Sequence, residues 1–325
     1  MATSALKLER LGAMLTPPAS TKRMLVIANP YATTVSDRLR NLVVYALRGR
    51  YEVEAVDTEA PGHATEICRE AALEGYDVVV AFGGDGTINE AANGLAGSDT
   101  PLSCLPGGAT NVYCRLLGIP AEIVDATEHL LALADDFRPR TVDLARVNDR
   151  HFTFSAGLGL DATVVKRVEA HPYRKARFGA YYFTLMAFTA FAREYLVRPP
   201  RLVVEADGRR IEGVTAVVQN ADPYTYFASR PIKLAEGATL DSGALSGLVL
   251  QRASPLDEPT LVWRAFSRKA SMARHRHVDS FSGVDGVRAR SLDGRPIALQ
   301  VDGDYVGEVT EAEYSVTPRG LTVLA

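Results

Sequence analysis

Short apolar or β-branched runs at Met24–Ala28, Tyr51–Val56, Asp77–Phe82 and Leu102–Leu105 alternate with stretches at Ser36–Leu47, Ala64–Glu74 and Ile88–Leu95 whose apolar positions recur at helical spacing. Alternating strand and helix predicts a mainly parallel sheet, an α/β domain. Ligands of such sheets bind beyond the carboxyl ends of the strands, so Asn29, Thr58, the Gly83–Thr87 turn and Gly107–Asn111 are expected to converge. After Arg138 the texture changes. Thr141–Val147, His151–Ser155, Leu202–Ala206, Arg210–Val218, Ala244–Gln251, Val287–Ser291, Ile297–Val301 and Tyr314–Thr317 read as strands, with Asp207-Gly208 and Asp293-Gly294 as turns. They predict a C-terminal β-sandwich-like domain with two inserted helical stretches, Ala176–Leu196 and Pro255–His275. The expected division is an N-terminal extension over 1–21, an α/β nucleotide-binding domain over 22–138 and a β-rich substrate domain over 139–325.

Composition narrows the partners. With 47% hydrophobic and 23% charged residues in 325, the chain has material for two cores. A net charge of −3 argues against a nucleic-acid-binding surface. Three cysteines, Cys68, Cys104 and Cys114, suit neither a disulfide framework nor a zinc knot and fit a reducing cytoplasm. Met1–Ser20 carries Lys7, Glu9 and Arg10 within its apolar pattern and lacks a signal-peptide core; it reads as a short helix and a Pro17-Pro18 linker.

The chemistry concentrates where the strand Val78–Phe82 runs into Gly83-Gly84-Asp85-Gly86-Thr87-Ile88-Asn89-Glu90. Glycines permit positive φ and a close backbone approach to phosphate, the following helix start offers N–H groups, and Asp85 can hold Mg²⁺. The alternative is a βα turn whose small residues serve packing alone; likewise Asn29 and Asn111 can be turn-capping amides.

Five blocks in order carry a family resemblance: Asn29-Pro30, Gly62–Ile67, Gly83–Glu90 with Leu105–Asn111, Gly157–Ala162 and Val301–Asp304. In these the chain resembles the diacylglycerol kinase catalytic-domain family, which includes soluble bacterial lipid kinases and sphingosine kinases. The resemblance implies an ATP-dependent lipid kinase, most simply one converting diacylglycerol to phosphatidic acid, with ATP and Mg²⁺ as cofactors. It places nucleotide contacts at Asn29, Thr58, Thr65, Gly83, Gly84, Asp85, Gly86, Thr87, Asn89, Glu90, Gly108, Thr110 and Asn111. It makes Asp85 the organiser of the nucleotide's Mg²⁺ and Asp304 the base that takes the acceptor's proton. Bacterial members carry a structural metal loop that falls here on Thr239, Asp241, Ser242 and Ala244. The chain departs from the family at Gly108-Ala109-Thr110-Asn111, where a hydroxyl has moved by one residue, and at Val112, Ser242 and Asp304, where Asp, Asp and Glu are common.

A lipid kinase must reach a bilayer without spanning it. Phe178–Phe191 is uncharged but shorter than a bilayer-spanning helix, and Lys175, Arg177 and Arg193 flank it; it lines an acyl-chain cleft or packs on the sandwich. Trp263 and Phe266 lie among Arg264, Arg268, Lys269, Arg274, His275, Arg276 and His277, a composition suited to anionic headgroups or to a solvated basic helix. Peripheral membrane contact without a transmembrane segment is expected; a homodimer through an exposed strand stays open. Other readings are a sphingosine-type kinase, a kinase of a soluble acceptor, since NAD kinases and phosphofructokinases share the Gly-Gly-Asp-Gly turn, and a nucleotide-binding regulator without turnover.

Overall fold

The computed structural model describes residues 21–32, 34–170, 186, 189, 199–227, 230–267 and 269–325. The extension expected over 1–21, apart from Thr21, and nearly all of the stretch 176–196 lie outside them. The chain divides into two compact units, one running through Val142 and taking up Leu321–Ala325, the other Asp143–Gly320.

The first unit alternates β1 (Lys22–Ala28), α1 (Asp37–Leu47), β2 (Tyr51–Asp57), α2 (His63–Glu74), β3 (Val78–Gly83), α3 (Asp85–Leu95) and β4 (Leu102–Pro106), followed by α4 (Val112–Leu116) and α5 (Ile123–Leu133). Its strands are parallel in the order β2-β1-β3-β4. Val78 through Phe82 are 0% exposed, as a central strand covered on both faces requires. Gly62 and Gly75, at φ 87° and 71°, begin and end α2, and Ser36 caps α1 by accepting from Leu39 N. The strand order reverses between β1 and β3, so the crevice beyond their carboxyl ends is the expected ligand position. Asn29 N donates to Phe82 O at 3.0 Å, Thr58 N to Ala28 O at 2.9 Å and Gly107 N to Gly83 O at 2.9 Å, so the four strand ends lie together.

Two expectations for this unit change. The helix begins at Asp85 rather than Ile88, because Gly84 is its N-cap and Ile88 N already bonds Gly84 O at 3.1 Å. Residues 321–325, expected in the second domain, belong here: Leu321, Val323 and Leu324 are 0% exposed, Val323 pairs in parallel with Leu102, and Leu324 N donates to Leu102 O.

The second unit holds β7 (Ser155–Leu158), β10 (Thr215–Gln219), β13 (Leu245–Leu250), β14 (Val278–Val284), β16 (Ile297–Val301) and β17 (Asp304–Val309) in a six-stranded sheet of order β14-β13-β10-β7-β16-β17. A second layer is built from β5 (Arg140–Val147), β6 (Arg150–Phe152), β8 (Leu202–Ala206), β9 (Arg209–Gly213), β15 (Gly286–Ser291) and β18 (Glu311–Val323). β11 (Thr225–Phe227) and β12 (Arg230–Ile232) form a separate hairpin; the described residues of the unit also include the helices α6 (Leu160–Glu169) and α7 (Glu258–Phe266). Phe152, Leu158, Val204, Val218, Val249, Val287, Leu299 and Tyr314 from both layers share one apolar core, as in a β-sandwich.

Two runs read as single strands are each divided between the layers. His151–Ser155 breaks at Thr153-Phe154, and Arg210–Val218 breaks at Val214, whose N–H bonds Leu250 O at 2.8 Å. The stretch Pro255–His275 is helical only over Glu258–Phe266, with a single 3₁₀ turn at Met272–Arg274; the Ser267 hydroxyl accepts from Lys269 N and Ala270 N and ends the helix.

Candidate active site

The turn after β3 does not use its glycines for left-handed backbone. Gly83, Gly84, Gly86, Gly107 and Gly108 are all absent from the positive-φ residues, and Gly84 sits at φ −84°. This corrects the expectation from sequence, and the cause is crowding. A Cβ on Gly108 would lie 2.8 Å from Gly84 Cα, one on Gly107 2.8 Å from Gly83 Cα, and one on Gly83 2.6 Å from Thr87 Oγ1. Glycine is what lets two backbone turns, 83–84 and 107–108, lie against each other at the mouth of the sheet.

Asp85 stands in the first turn of α3, where the unpaired N–H groups of the helix favour negative charge. Its Oδ2 accepts from the Thr110 hydroxyl at 3.2 Å and its Oδ1 from Tyr113 N at 3.1 Å. The hydroxyl displaced from position 109 to 110 therefore meets the acid. Thr87, 7% exposed, accepts through Oγ1 from Asn29 Nδ2 at 3.0 Å, a bond that crosses the point where strand order reverses.

The remaining candidates in this unit mainly brace it. Asn29 Oδ1 accepts from Tyr31 N; Asn111, at φ 47°, accepts from Gly108 N at 2.8 Å and donates to Gly108 O at 2.9 Å. Both amides are turn caps. The Glu90 carboxylate accepts from Gly62 N and Ala64 N at the start of α2, and the Thr65 hydroxyl donates to Glu90 O at 2.8 Å. Asn89 is fully buried and accepts from Asn93 Nδ2; Thr58 is 7% exposed. Gly94, which sequence reasoning passed over, permits this brace: its Cβ would meet Thr65 O at 2.5 Å.

The glycine-walled turns, the helix start and the Asp85 carboxylate fit a magnesium-bound polyphosphate: backbone N–H groups for the phosphates and a hard oxygen for the cation.

In the second unit, Asp302 and Gly303, at φ 49° and 87°, form the two-residue turn between β16 and β17, with Val301 paired to Asp304. Asp304 thus begins a strand and is half-buried. Asp302, 2% exposed, has a role that sequence did not reveal. Its carboxylate accepts from Thr153 N at 2.6 Å, Thr153 Oγ1 at 2.8 Å, Phe154 N at 3.0 Å and Ser155 N at 3.0 Å. These are the N–H groups left over where the chain changes layers. Burial pushes the Asp302 carboxyl above its ordinary range, while the donors pull the other way. Beside it, the half-buried Asp161 carboxylate accepts from Tyr224 OH and, at 2.8 Å, from Gln300 Nε2; desolvation raises its pKa also. Gln300 Oε1 in turn accepts from Gly303 N at 2.8 Å, so this cluster fixes the turn preceding Asp304.

The loop assigned to a structural metal closes on itself. Ser242 Oγ lies 3.1 Å from both Thr239 O and Ala244 O, and Gly243 N donates to Asp143 Oδ2 at 2.5 Å. Asp241 is exposed, and among the described residues no three His, Cys, Asp or Glu gather as a metal site. Thr239 O and Ala244 O are thus engaged by a hydroxyl and Asp143 Oδ2 by an amide, which leaves a hard cation fewer free oxygens here than the loop's composition suggests. The apolar segment Phe178–Phe191 lies outside the described residues except for Met186 and Thr189. No described helix is long and apolar enough to cross a membrane.

Comparison with known proteins bears on the same residues. Residues 23–147 match the model of the diacylglycerol kinase catalytic domain. The diacylglycerol kinase of Bacillus subtilis (strain 168) is 28% identical over 296 residues, covering 88% of this chain and 91% of that protein. That of Staphylococcus aureus (strain bovine RF122 / ET3-1) is 28% identical over 294, covering 89% and 88%. The fold is shared with a diacylglycerol kinase crystal structure from Bacillus anthracis str. Sterne, at TM-score 0.66 and 19% identity over 94% of this chain and 97% of that one. The Gly83–Thr87 turn falls within the matched segment, and the likeness continues through most of both relatives: residues 23–147 are similar to a diacylglycerol kinase catalytic domain, and the chain as a whole is similar to bacterial diacylglycerol kinases, which supports a kinase.

Proposed function

We propose that the protein transfers the γ-phosphoryl group of ATP to the hydroxyl of a membrane lipid, with diacylglycerol as acceptor and phosphatidic acid as product, in a reducing cytoplasm. The observation that carries this reading is the Asp85 carboxylate held at a helix start beside two glycine turns that leave no room for a Cβ at Gly83, Gly107 or Gly108. The names of the curated relatives, both diacylglycerol kinases, support diacylglycerol as the acceptor.

In this mechanism the backbone of 83–87 and 107–108 binds the phosphates, and Thr110 and Tyr113 N hold Asp85 in the orientation that receives the cation. Mg²⁺ neutralises charge on the phosphates when bound. The acceptor oxygen bonds to the γ-phosphorus, the bridging oxygen–phosphorus bond breaks, ADP leaves, and the hydroxyl proton passes to the Asp304 carboxylate. Asn29, Asn111, Glu90 and Thr65 position these groups rather than touch the reacting atoms.

The test is transfer from γ-labelled ATP with Mg²⁺ to mixed micelles of diacylglycerol, sphingosine or a total lipid extract, alongside Asp85→Ala and Asp304→Asn. Labelled phosphatidic acid, lost in both variants, is the expected result. Label in sphingosine alone would move the acceptor class. MgATP binding without transfer to any lipid would favour a regulator or a soluble-acceptor kinase and remove Asp304 from its role.

A further inference from the structure

We propose that the outward face of α7, together with Phe227 and Arg230 of the β11–β12 hairpin, docks the protein on an anionic lipid surface. α7 packs inward through Leu261, which joins the buried cluster of Val214, Val217, Leu248, Leu250 and Val278. The opposite face carries Pro259, Val262, Trp263 and Phe266, spaced i, i+3, i+4, i+7 and all exposed, with Trp263 at 60% and Val262 at 51%. Leu256, one turn earlier, is 84% exposed, and the Phe227 ring meets Phe266 edge-on at 5.3 Å.

Position argues that this face has a purpose. Among the described residues of the second unit, every exposed large hydrophobic (Phe227, Leu256, Val262, Trp263 and Phe266) belongs to this one patch. Scattered apolar residues need no explanation; a contiguous, ring-bearing patch does.

Charge selects the occupant. Residues 256–277 carry five Lys and Arg against two acids, in a chain of net charge −3. One of those acids, Asp257, is 2% exposed and engaged by Arg276 at 2.5 Å and His277 at 3.4 Å. Exposed Lys269 and Arg274 follow the helix, and exposed Arg230 pairs with Phe227 in the hairpin. Aromatic side chains ringed by cations suit the headgroup level of an anionic leaflet. A second copy meeting this face across a two-fold axis would set cation against cation. Nine residues are too few to cross a bilayer, so the helix lies in the interface.

The biological use of this surface rests on the lipid-kinase reading, but its test needs neither nucleotide nor diacylglycerol. Trp263 is the sole tryptophan and reports on the patch directly. Titrating the full chain with phosphatidylglycerol–phosphatidylcholine vesicles is expected to shift Trp263 emission to the blue and bring the protein down with the vesicles. Pure phosphatidylcholine should bind at least about tenfold more weakly, and added salt should erode the difference. Val262→Ser with Phe266→Ser should lower partitioning about tenfold or more with an unchanged melting curve. No shift and no co-sedimentation, or equal partitioning of the double variant, would overturn the assignment. So would a concentration-dependent blue shift without vesicles, which would assign the face to a second copy. Vesicle binding by a protein that phosphorylates no lipid would leave the docking surface standing and refute the kinase reading alone.

Discussion

Asp302 and Asp304 lie two residues apart, and the structure separates their roles sharply enough to test. Asp302→Ala strips the acceptor from three backbone N–H groups, those of Thr153, Phe154 and Ser155, and from the Thr153 hydroxyl. The hydroxyl can rotate away, but the amides are held in place by the strands on either side, β6 ending at Phe152 and β7 beginning at Ser155. Each orphaned buried donor costs roughly 1–3 kcal/mol, and alanine at φ 49° adds about 1 kcal/mol. With some recovery by entering water, a loss of at least about 3 kcal/mol is expected. Asp302→Asn keeps one oxygen for Phe154 N and Ser155 N and turns an NH₂ toward Thr153 N, so one donor is orphaned, at roughly 1–3 kcal/mol. Asp304→Asn should change stability by less than about 1 kcal/mol while abolishing transfer. Urea unfolding followed by Trp263 fluorescence reads the second unit specifically, which matters because two units need not unfold as one. If Asp302→Ala unfolds within about 1 kcal/mol of wild type, or less easily than Asp302→Asn, the carboxylate does not hold the layer crossing and the argument fails.

Three further outcomes follow from the geometry. Gly108→Ala, whose Cβ must push Gly84 Cα from 2.8 Å, should cost about 1–3 kcal/mol and weaken MgATP binding at least about tenfold by calorimetry; unchanged affinity would refute the paired-turn cradle. Burial pushes the Cys68 thiol from near 9 up to about 12, so as pH rises from 9 towards 12 the unfolded chain loses this proton first; stability falls by up to about 1.4 kcal/mol per pH unit, and Cys68→Ala should flatten that slope in urea titrations. Chelation with EDTA should leave the melting temperature of the nucleotide-free protein unchanged, whereas Ser242→Ala, which unlinks Thr239 O from Ala244 O, should cost about 1 kcal/mol; a chelation-induced fall restored by Mg²⁺ would show a cation in that loop.

The first unit was readable because its signals are local. Val78–Phe82 is apolar on both faces and glycine punctuates its end, so strand, turn and crevice follow from adjacent residues. The start of α3 was misplaced by three residues because Asp85-Gly86-Thr87 has turn composition; only the bond of Ile88 N to Gly84 O reveals a helix. The site's internal division was hidden for a different reason. Asn111 and Glu90 carry groups equally suited to ligand or protein, and what decides is a partner across a turn or on a neighbouring helix. In the second unit, strand propensity continues unbroken through Thr153 and Val214 while the chain passes between layers. The group that receives the freed N–H groups, Asp302, is 149 positions away from Thr153.

The return of residues 321–325 to the edge of β4 sets an order of events during synthesis. A ribosome releases β1 to β4 and their helices long before it makes the segment that covers Leu102, so the nascent α/β unit waits with an open strand edge while all of Asp143–Gly320 is translated. An unpaired edge of that kind is a template for pairing with the wrong chain. The kinase turn can be assembled early, yet the sheet behind it is closed only when the distant segment arrives, which ties the maturation of one unit to the completed synthesis of the other.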